Sequence, residues 1–339
     1  MVQKGLRQAD GSPAAPPYTN GPYTMSEQVN FAGGISGANS PGSVVFVDGT
    51  NGSAGGSGSS WAEAVNTIQL GVTAAGVNGT VYVAPKTITD FTGDPTSYAE
   101  TVIIPATHTG LSLIGISRGR TQGGLPQIKK GSGSTALLTI RAAGCLIANM
   151  GFNGGSSTGG GILLDDDYSA KTAFGTSIVG CHFKNCVGST ATNAATGGAI
   201  QWSATGNAWQ VSIIGNRFYK NVGDVVLLGT SSTVPQDVLI ENNVFSGPAA
   251  NVDCNLYLAG GSGMNGVIIN NNIFTCFPAI GSGTNANVLV LTGCIGSLTN
   301  NTFAITGKTF GAAGNVLVPT TVLMAHNYQE DGATQIART

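Results

Sequence analysis

The stretch "LLDDDYS" carries three consecutive aspartates, Asp165, Asp166 and Asp167, the densest acidic spot in the chain. If the apolar residues before them form a strand that continues through the acids, Asp165 and Asp167 share one face. Two positions along a strand are about 7 Å apart, within the range at which an inverting glycosidase holds its acid and its base. The same pair could instead share a calcium ion. The plainer alternative is an exposed loop with three solvated carboxylates. Asp224, Asp237, Glu241 and Asp253 stand singly in separate segments. Glu241 is expected to face outward beside Arg217, as a surface ion pair.

Trp202, Trp209, Tyr219 and Tyr257 could stack on sugar rings. Trp209, in "SATGNAWQ", reads as a loop residue and is the best placed of them for glycan stacking. Partial burial between coils is the plainer alternative. His108, His182 and His326 have no local nucleophile or acid, so no Ser–His–Asp or Cys–His arrangement is legible. The cysteines, Cys145, Cys181, Cys186, Cys254, Cys276 and Cys294, form no CxxC pair. With few histidines beside them, no zinc site and no other cofactor is expected. They read as small buried thiols. Gly-x-Gly strings in so glycine-rich a chain carry no phosphate-binding information.

Charged residues make up 9% of the 339 residues, against about 25% in an average domain. Hydrophobic residues reach 41%, too many for a disordered chain. The net charge is −2 and there is no basic run, so neither nucleic acid nor an anionic membrane is an expected partner. No apolar run is long enough to predict a transmembrane helix. The opening "MVQKGLRQADGSPAAPPYTNG" lacks an apolar segment, so no secretory signal is expected and synthesis in a cytoplasm is.

The elements that would position such side chains announce themselves by repetition. One phrase recurs six times: "IANMGF", "IVGCHF", "IIGNRF", "IENNVF", "INNNIF" and "LTNNTF", ending at Phe152, Phe183, Phe218, Phe245, Phe274 and Phe303. The spacings are 31, 35, 27, 29 and 29 residues, a period that marks a repeat architecture. Two positions before the phenylalanine stand Met150, Cys181, Asn216, Asn243, Asn272 and Asn301. Between the anchors lie short β-branched runs such as "GGGILLD", "GGAIQW" and "NVLVLTG", bounded by turn residues. Two or three short strands per period predict one coil of a parallel β-solenoid, with coils about 4.8 Å apart. The phenylalanines then stack inside. Asparagine tolerates the left-handed backbone of a tight corner, and stacked carboxamides can bond from coil to coil.

Ahead of the coils, "SVVFVDGTNGSAGGSGSSWAEAVNTIQLGVTAAGVNGTVYVAP" reads as strand, turn, helix and strand. Ser60 and Glu63 form a capping box for a helix over about 60–75. Trp61, Ala64, Val65, Ile68, Val72 and Ala75 fall on one helical stripe, and Gly76 can close it. Such a helix would cover the apolar end of the first coil. Residues 1–42 read as an extended docking arm, with Tyr18, Tyr23 and Phe31 as its large apolar groups. A segment without its own core gains order only when something holds it: its own solenoid, a sister subunit or a larger assembly. The solenoid is expected over 43–325, followed by a polar tail over 326–339.

The order of strand, "VDGTNGS", capped helix with "TIQ", "VYVAP" and coils ending in N-x-F resembles the pectate-lyase-like right-handed parallel β-helix superfamily, over residues 44 to about 325. The resemblance implies an all-β fold, a right-handed parallel β-helix with an N-terminal capping helix and an extended arm. That superfamily carries lyases, glycosidases, epimerases and non-catalytic virion proteins, so fold alone does not choose among them. Its lyases pair calcium-binding aspartates with an arginine in an R-x-P-x-x-R context, and no such string occurs here. The opening "GGISGANSPGSVVFVDGTNGS" is similar to β-helix proteins of tailed-phage virions. That similarity implies a non-catalytic structural protein of the virion surface: a capsid decoration, head fibre or tail spike, assembled in the host cytoplasm. It implies a homotrimer whose arms reach major capsid or tail proteins, with host-surface glycan as a further partner. The alternative is a polysaccharide lyase or glycoside hydrolase on a tailspike-like β-helix, with Asp165 and Asp167 as its acids.

Overall fold

The computed structural model describes residues 42–86, 96–116, 124–155, 157–165, 173–190, 194–203, 208–228, 235–246, 254–259, 263–275, 288–304, 316–329 and 336. The expected arm, with Tyr18, Tyr23 and Phe31, lies outside these residues apart from Gly42.

The chain winds repeatedly through three sheets and forms a parallel β-helix. Sheet I has ten strands, from Val44–Val47 to Val322–Ala325. Sheet II has eight, from Gln127–Ile128 to Tyr328–Gln329, and sheet III has eight, from Val102–Ile104 to Val316–Leu317. Each strand in sheets II and III pairs in parallel with its counterpart one coil away, as do the strands of sheet I. Strands this short bury one or two side chains each, so coils gain stability only by stacking on one another.

The inward side chains form columns. In sheet I, Val81, Leu113, Ile147, Ile178, Ile213, Ile240 and Ile269 follow one another in register. In sheet II the phenylalanines do the same: from Phe152 to Phe303, successive ring centroids are 4.7–5.0 Å apart and nearly parallel. All six rings are buried.

The corner between sheets I and II is identical in every coil of the phrase. It needs one residue in the left-handed region, supplied by Asn149, Asn242, Asn271 and Asn300 with φ of 54–58° and by Gly180 and Gly215 with φ of 64° and 66°. The next residue points inward and carries the amide ladder. Asn243 Nδ2 donates to Ile213 O at 2.9 Å and to Asn272 Oδ1 at 3.0 Å. Its Oδ1 accepts from the backbone N–H of Asn216 at 2.9 Å and from Asn216 Nδ2 at 3.1 Å. Asn216, Asn272 and Asn301 repeat this pattern, so buried carboxamides have both donors and the acceptor used. At the N-terminal side, Met150 and Cys181 occupy the same inward position, and Cys181 Sγ is a weak donor to Ile147 O at 3.6 Å and Val179 O at 3.5 Å.

Two boundaries differ from expectation. The helix spans Ile68–Ala75 only, and its N-cap is Thr67, whose Oγ1 accepts from Leu70 N at 3.2 Å. Residues ahead of it instead cover the free edge of the first strand: Val65 N donates to Phe46 O and Asp48 N to Val65 O. A strand edge left open carries unpaired backbone groups, and this pairing outweighs the extra helical turns that the stripe suggested. Trp61 is consequently 43% exposed. The capping carboxylate is Glu100, which accepts from Ile68 N at 2.8 Å and Gln69 N at 3.0 Å, and not Glu63. Ile68, Gly71, Val72 and Ala75 face the core.

At the other end, the solenoid continues past residue 325. Tyr328–Gln329 joins sheet II, with Gln329 in register with Phe303. Asn327 extends the amide ladder, its Oδ1 accepting from Asn301 Nδ2 at 3.0 Å. Ile336 is buried and its N–H donates to Asn327 O.

Phe245→Ala should cost about 3–5 kcal/mol through lost burial and a cavity in the ring column. Asn243→Ala should cost about 1–3 kcal/mol by leaving ladder partners unpaired. Equilibrium urea denaturation measures both, and a Phe245→Ala cost under about 1 kcal/mol would contradict the inward column.

Candidate functional site

Asp165 follows the sheet III strand Ile162–Leu164, and its backbone N–H donates to Ile140 O one coil earlier. Arg141 follows the strand Leu138–Ile140 in that earlier coil. The stacking therefore brings Arg141 Nε to 2.7 Å from Asp165 Oδ2, with side chains 28% and 13% exposed. The candidate catalytic carboxylate is engaged in a coil-to-coil ion pair. Asp167, its expected partner, lies outside the described residues.

Other carboxylates also hold the coils together. Asp48 accepts from Thr50 N, Asn51 N and Asn51 Nδ2. Burial opposes its ionisation, but the Asn51 amide and the two backbone donors outweigh it and hold the carboxyl below its ordinary range. Asp224 is buried and accepts from Asn221 Nδ2 at 2.9 Å and Asn255 Nδ2 at 2.6 Å. Glu241 accepts from Asn270 Nδ2 at 2.7 Å on the outer face of sheet I. It makes no ion pair with Arg217, contrary to the sequence expectation. Arg217 projects from sheet II, and the corner between the two sheets separates them.

Among the aromatic candidates, Trp202 is fully buried and its Nε1 donates to Ala208 O at 3.0 Å, which removes it as a sugar platform. Tyr257 is half-buried, whereas Tyr219 is exposed. Trp209 lies on the corner between sheets III and I and is 39% exposed. Gly175 N donates to Trp209 O, which puts Phe174 at the equivalent position one coil away. Phe174 is exposed to the same 39%, so two exposed aromatics follow one another along this corner. Sequence reading missed Phe174 because it stands outside every recurring phrase.

Cys145, Cys181, Cys186 and Cys294 are buried thiols outside any disulfide. Burial pushes the thiols of Cys145, Cys186 and Cys294 up to about 12, which leaves them unreactive at neutral pH. His182 is half-buried beside Arg217; burial first, then the guanidinium charge, lower its pKa. Among the described residues, no group of three or more His, Cys, Asp or Glu side chains gathers to hold a metal ion. None of their helices is long and apolar enough to cross a membrane.

No protein-family model matches the chain, and no curated protein matches it. Two of the solved structures similar to it are the following. One is Escherichia coli YbhC, at 14% identity and a TM-score of 0.39, covering 94% of this chain and 72% of that one. The other is a GH136 lacto-N-biosidase from Eubacterium ramulus, at 9% identity and a TM-score of 0.36, covering 85% of this chain and 67% of that one. Both scores lie below 0.5, so neither likeness adds to the fold or the function read here.

Asp165→Asn should cost about 1 kcal/mol, the loss of one partly exposed ion pair, and should leave the β-sheet circular dichroism unchanged. A cost above about 3 kcal/mol in urea would place the pair in a desolvated network instead.

Proposed function

We propose that this chain is a non-catalytic structural protein of a tailed-phage virion surface, a capsid decoration, head fibre or tail spike built on a right-handed parallel β-helix. Right-handed winding is the sense in which parallel strands are normally connected. The observation that carries the reading is the use made of the carboxylates. Asp48, Glu100, Asp165, Asp224 and Glu241 each accept bonds that fix a turn, a helix end or a neighbouring coil. A glycosidase needs two carboxyl groups facing one substrate bond, and a lyase of this fold needs acids gathered on a cation. Side chains spent on structure are what a passive rod requires. The virion assignment is supported by the resemblance of "GGISGANSPGSVVFVDGTNGS" to phage β-helix proteins.

On this reading the arm over 1–42 docks the rod to a capsid or tail protein, and three rods associate. Tyr18, Tyr23 and Phe31 are the groups that would bury in the partner.

Two measurements test the proposal. Purified protein mixed with host surface polysaccharide should release neither reducing ends nor unsaturated sugars. An antibody raised against it should label intact phage particles, and deletion of residues 1–40 should abolish labelling while the melting temperature stays unchanged. Turnover that is lost on changing Asp165→Asn together with Asp167→Asn would overturn the non-catalytic reading and identify a carbohydrate-active enzyme. Particles that carry no label would overturn the virion assignment.

A further inference from the structure

Charge is unevenly placed on the solenoid. Five of the seven lysines and arginines in the described residues, Lys129, Lys130, Lys184, Arg217 and Lys220, lie on strands of sheet II or directly after them. No aspartate or glutamate among the described residues lies on a sheet II strand. In a chain of net charge −2, this gives one face a local positive potential.

The centre of that face spans two coils. The strands His182–Lys184 and Arg217–Tyr219 pair in register, so His182 stands beside Arg217 and Lys184 beside Tyr219. The flanking residues of each strand point outward because the central phenylalanine points in. One residue further, Asn185 N donates to Tyr219 O, and Asn185 and Lys220 both take the left-handed conformation, with φ of 52° and 54°. Tyr219 is 40% exposed, and Lys220 Nζ lies 5.2 Å from its ring centroid. Arg217 is exposed.

We infer that this face of sheet II binds a carboxylated polysaccharide, with Arg217 and Lys220 taking the acid groups and Tyr219 the apolar face of a sugar ring. A guanidinium fork matches a carboxylate in two parallel hydrogen bonds. The tyrosine supplies a flat apolar surface ringed by polar groups. On one side its row-mates Ser246 and Thr275 carry hydroxyls, suited to sugar hydroxyl groups; on the other, Lys184 and Asn153 are buried. Single-stranded nucleic acid is the poorer fit, because such sites offer successive aromatic platforms, and Tyr219 has no aromatic neighbour in its row. The inference rests on the charge and the register and stands independently of the virion assignment.

Affinity electrophoresis in native gels tests it, with polygalacturonate as the carboxylated probe and dextran as the neutral one. The wild-type protein should be retarded by polygalacturonate and not by dextran, and added salt should weaken the retardation. Arg217→Glu with Lys220→Glu should weaken binding by about tenfold or more, and Tyr219→Ala should weaken it at an unchanged melting temperature. If the charge-reversed protein melts early, Arg217→Gln with Lys220→Gln replaces it, and binding should again fall. No retardation at low salt, or equal retardation of wild type and variants, would overturn the inference. So would equal retention by single-stranded DNA with no effect of Tyr219→Ala, which would reduce the face to unselective charge.

Discussion

From Asn216 onward the coils depend on one inward carboxamide each, bonded to the coils on either side. A buried amide with any group unpaired is costly, and a corner cannot supply all its partners from within one coil. The coil before and the coil after must both arrive in register. Asn243 illustrates this, reaching back to Ile213 O and forward to Asn272 Oδ1. The ring column two positions later is then placed without further instruction, because only one residue lies between each amide and its phenylalanine. The polar ladder thus gives the apolar column its register, and the apolar column removes water from the ladder.

This division of labour leaves chemistry to the outer faces. The inner columns accept few residue types, whereas outward positions of sheet II hold histidine, arginine, valine, isoleucine, threonine and tyrosine at equivalent sites. The carboxylates described above work as braces in this scheme. Positive charge and exposed aromatic rings are what remain to meet a partner.

Much of the frame was legible because the phrase states it openly. An asparagine inside an apolar run signals a left-handed corner, and the constant distance to phenylalanine reports the register of sheet II. The end of the last coil, past residue 325, was hidden because it keeps the geometry and changes the letters. His326 takes the left-handed position with φ of 53°, Asn327 the ladder and Gln329 the place of phenylalanine. The helix start was misplaced because a helical stripe says nothing about a strand edge nearby. The partner of Asp165 was out of reach for a different reason. Arg141 is 24 residues away, and the two meet only once the length of each coil is known.

From the coil of Phe152 onward the corner between sheets I and II keeps one length, while the intervals between phenylalanines range from 27 to 35 residues. Over those coils, variation in length is therefore confined to the other two corners. The rod can evolve by duplicating whole coils, each adding about 4.8 Å and bringing its own amide and its own ring. Over the coils that carry the phrase, differences of a few residues are absorbed along two edges of the prism; on the third, a longer connection stands only in the coil before them, where residues 116–126 separate the strands Ser112–Gly115 and Gln127–Ile128. Along the coils that carry the phrase, that third edge is a spine of constant length, and differences in length are carried on the opposite side of the molecule.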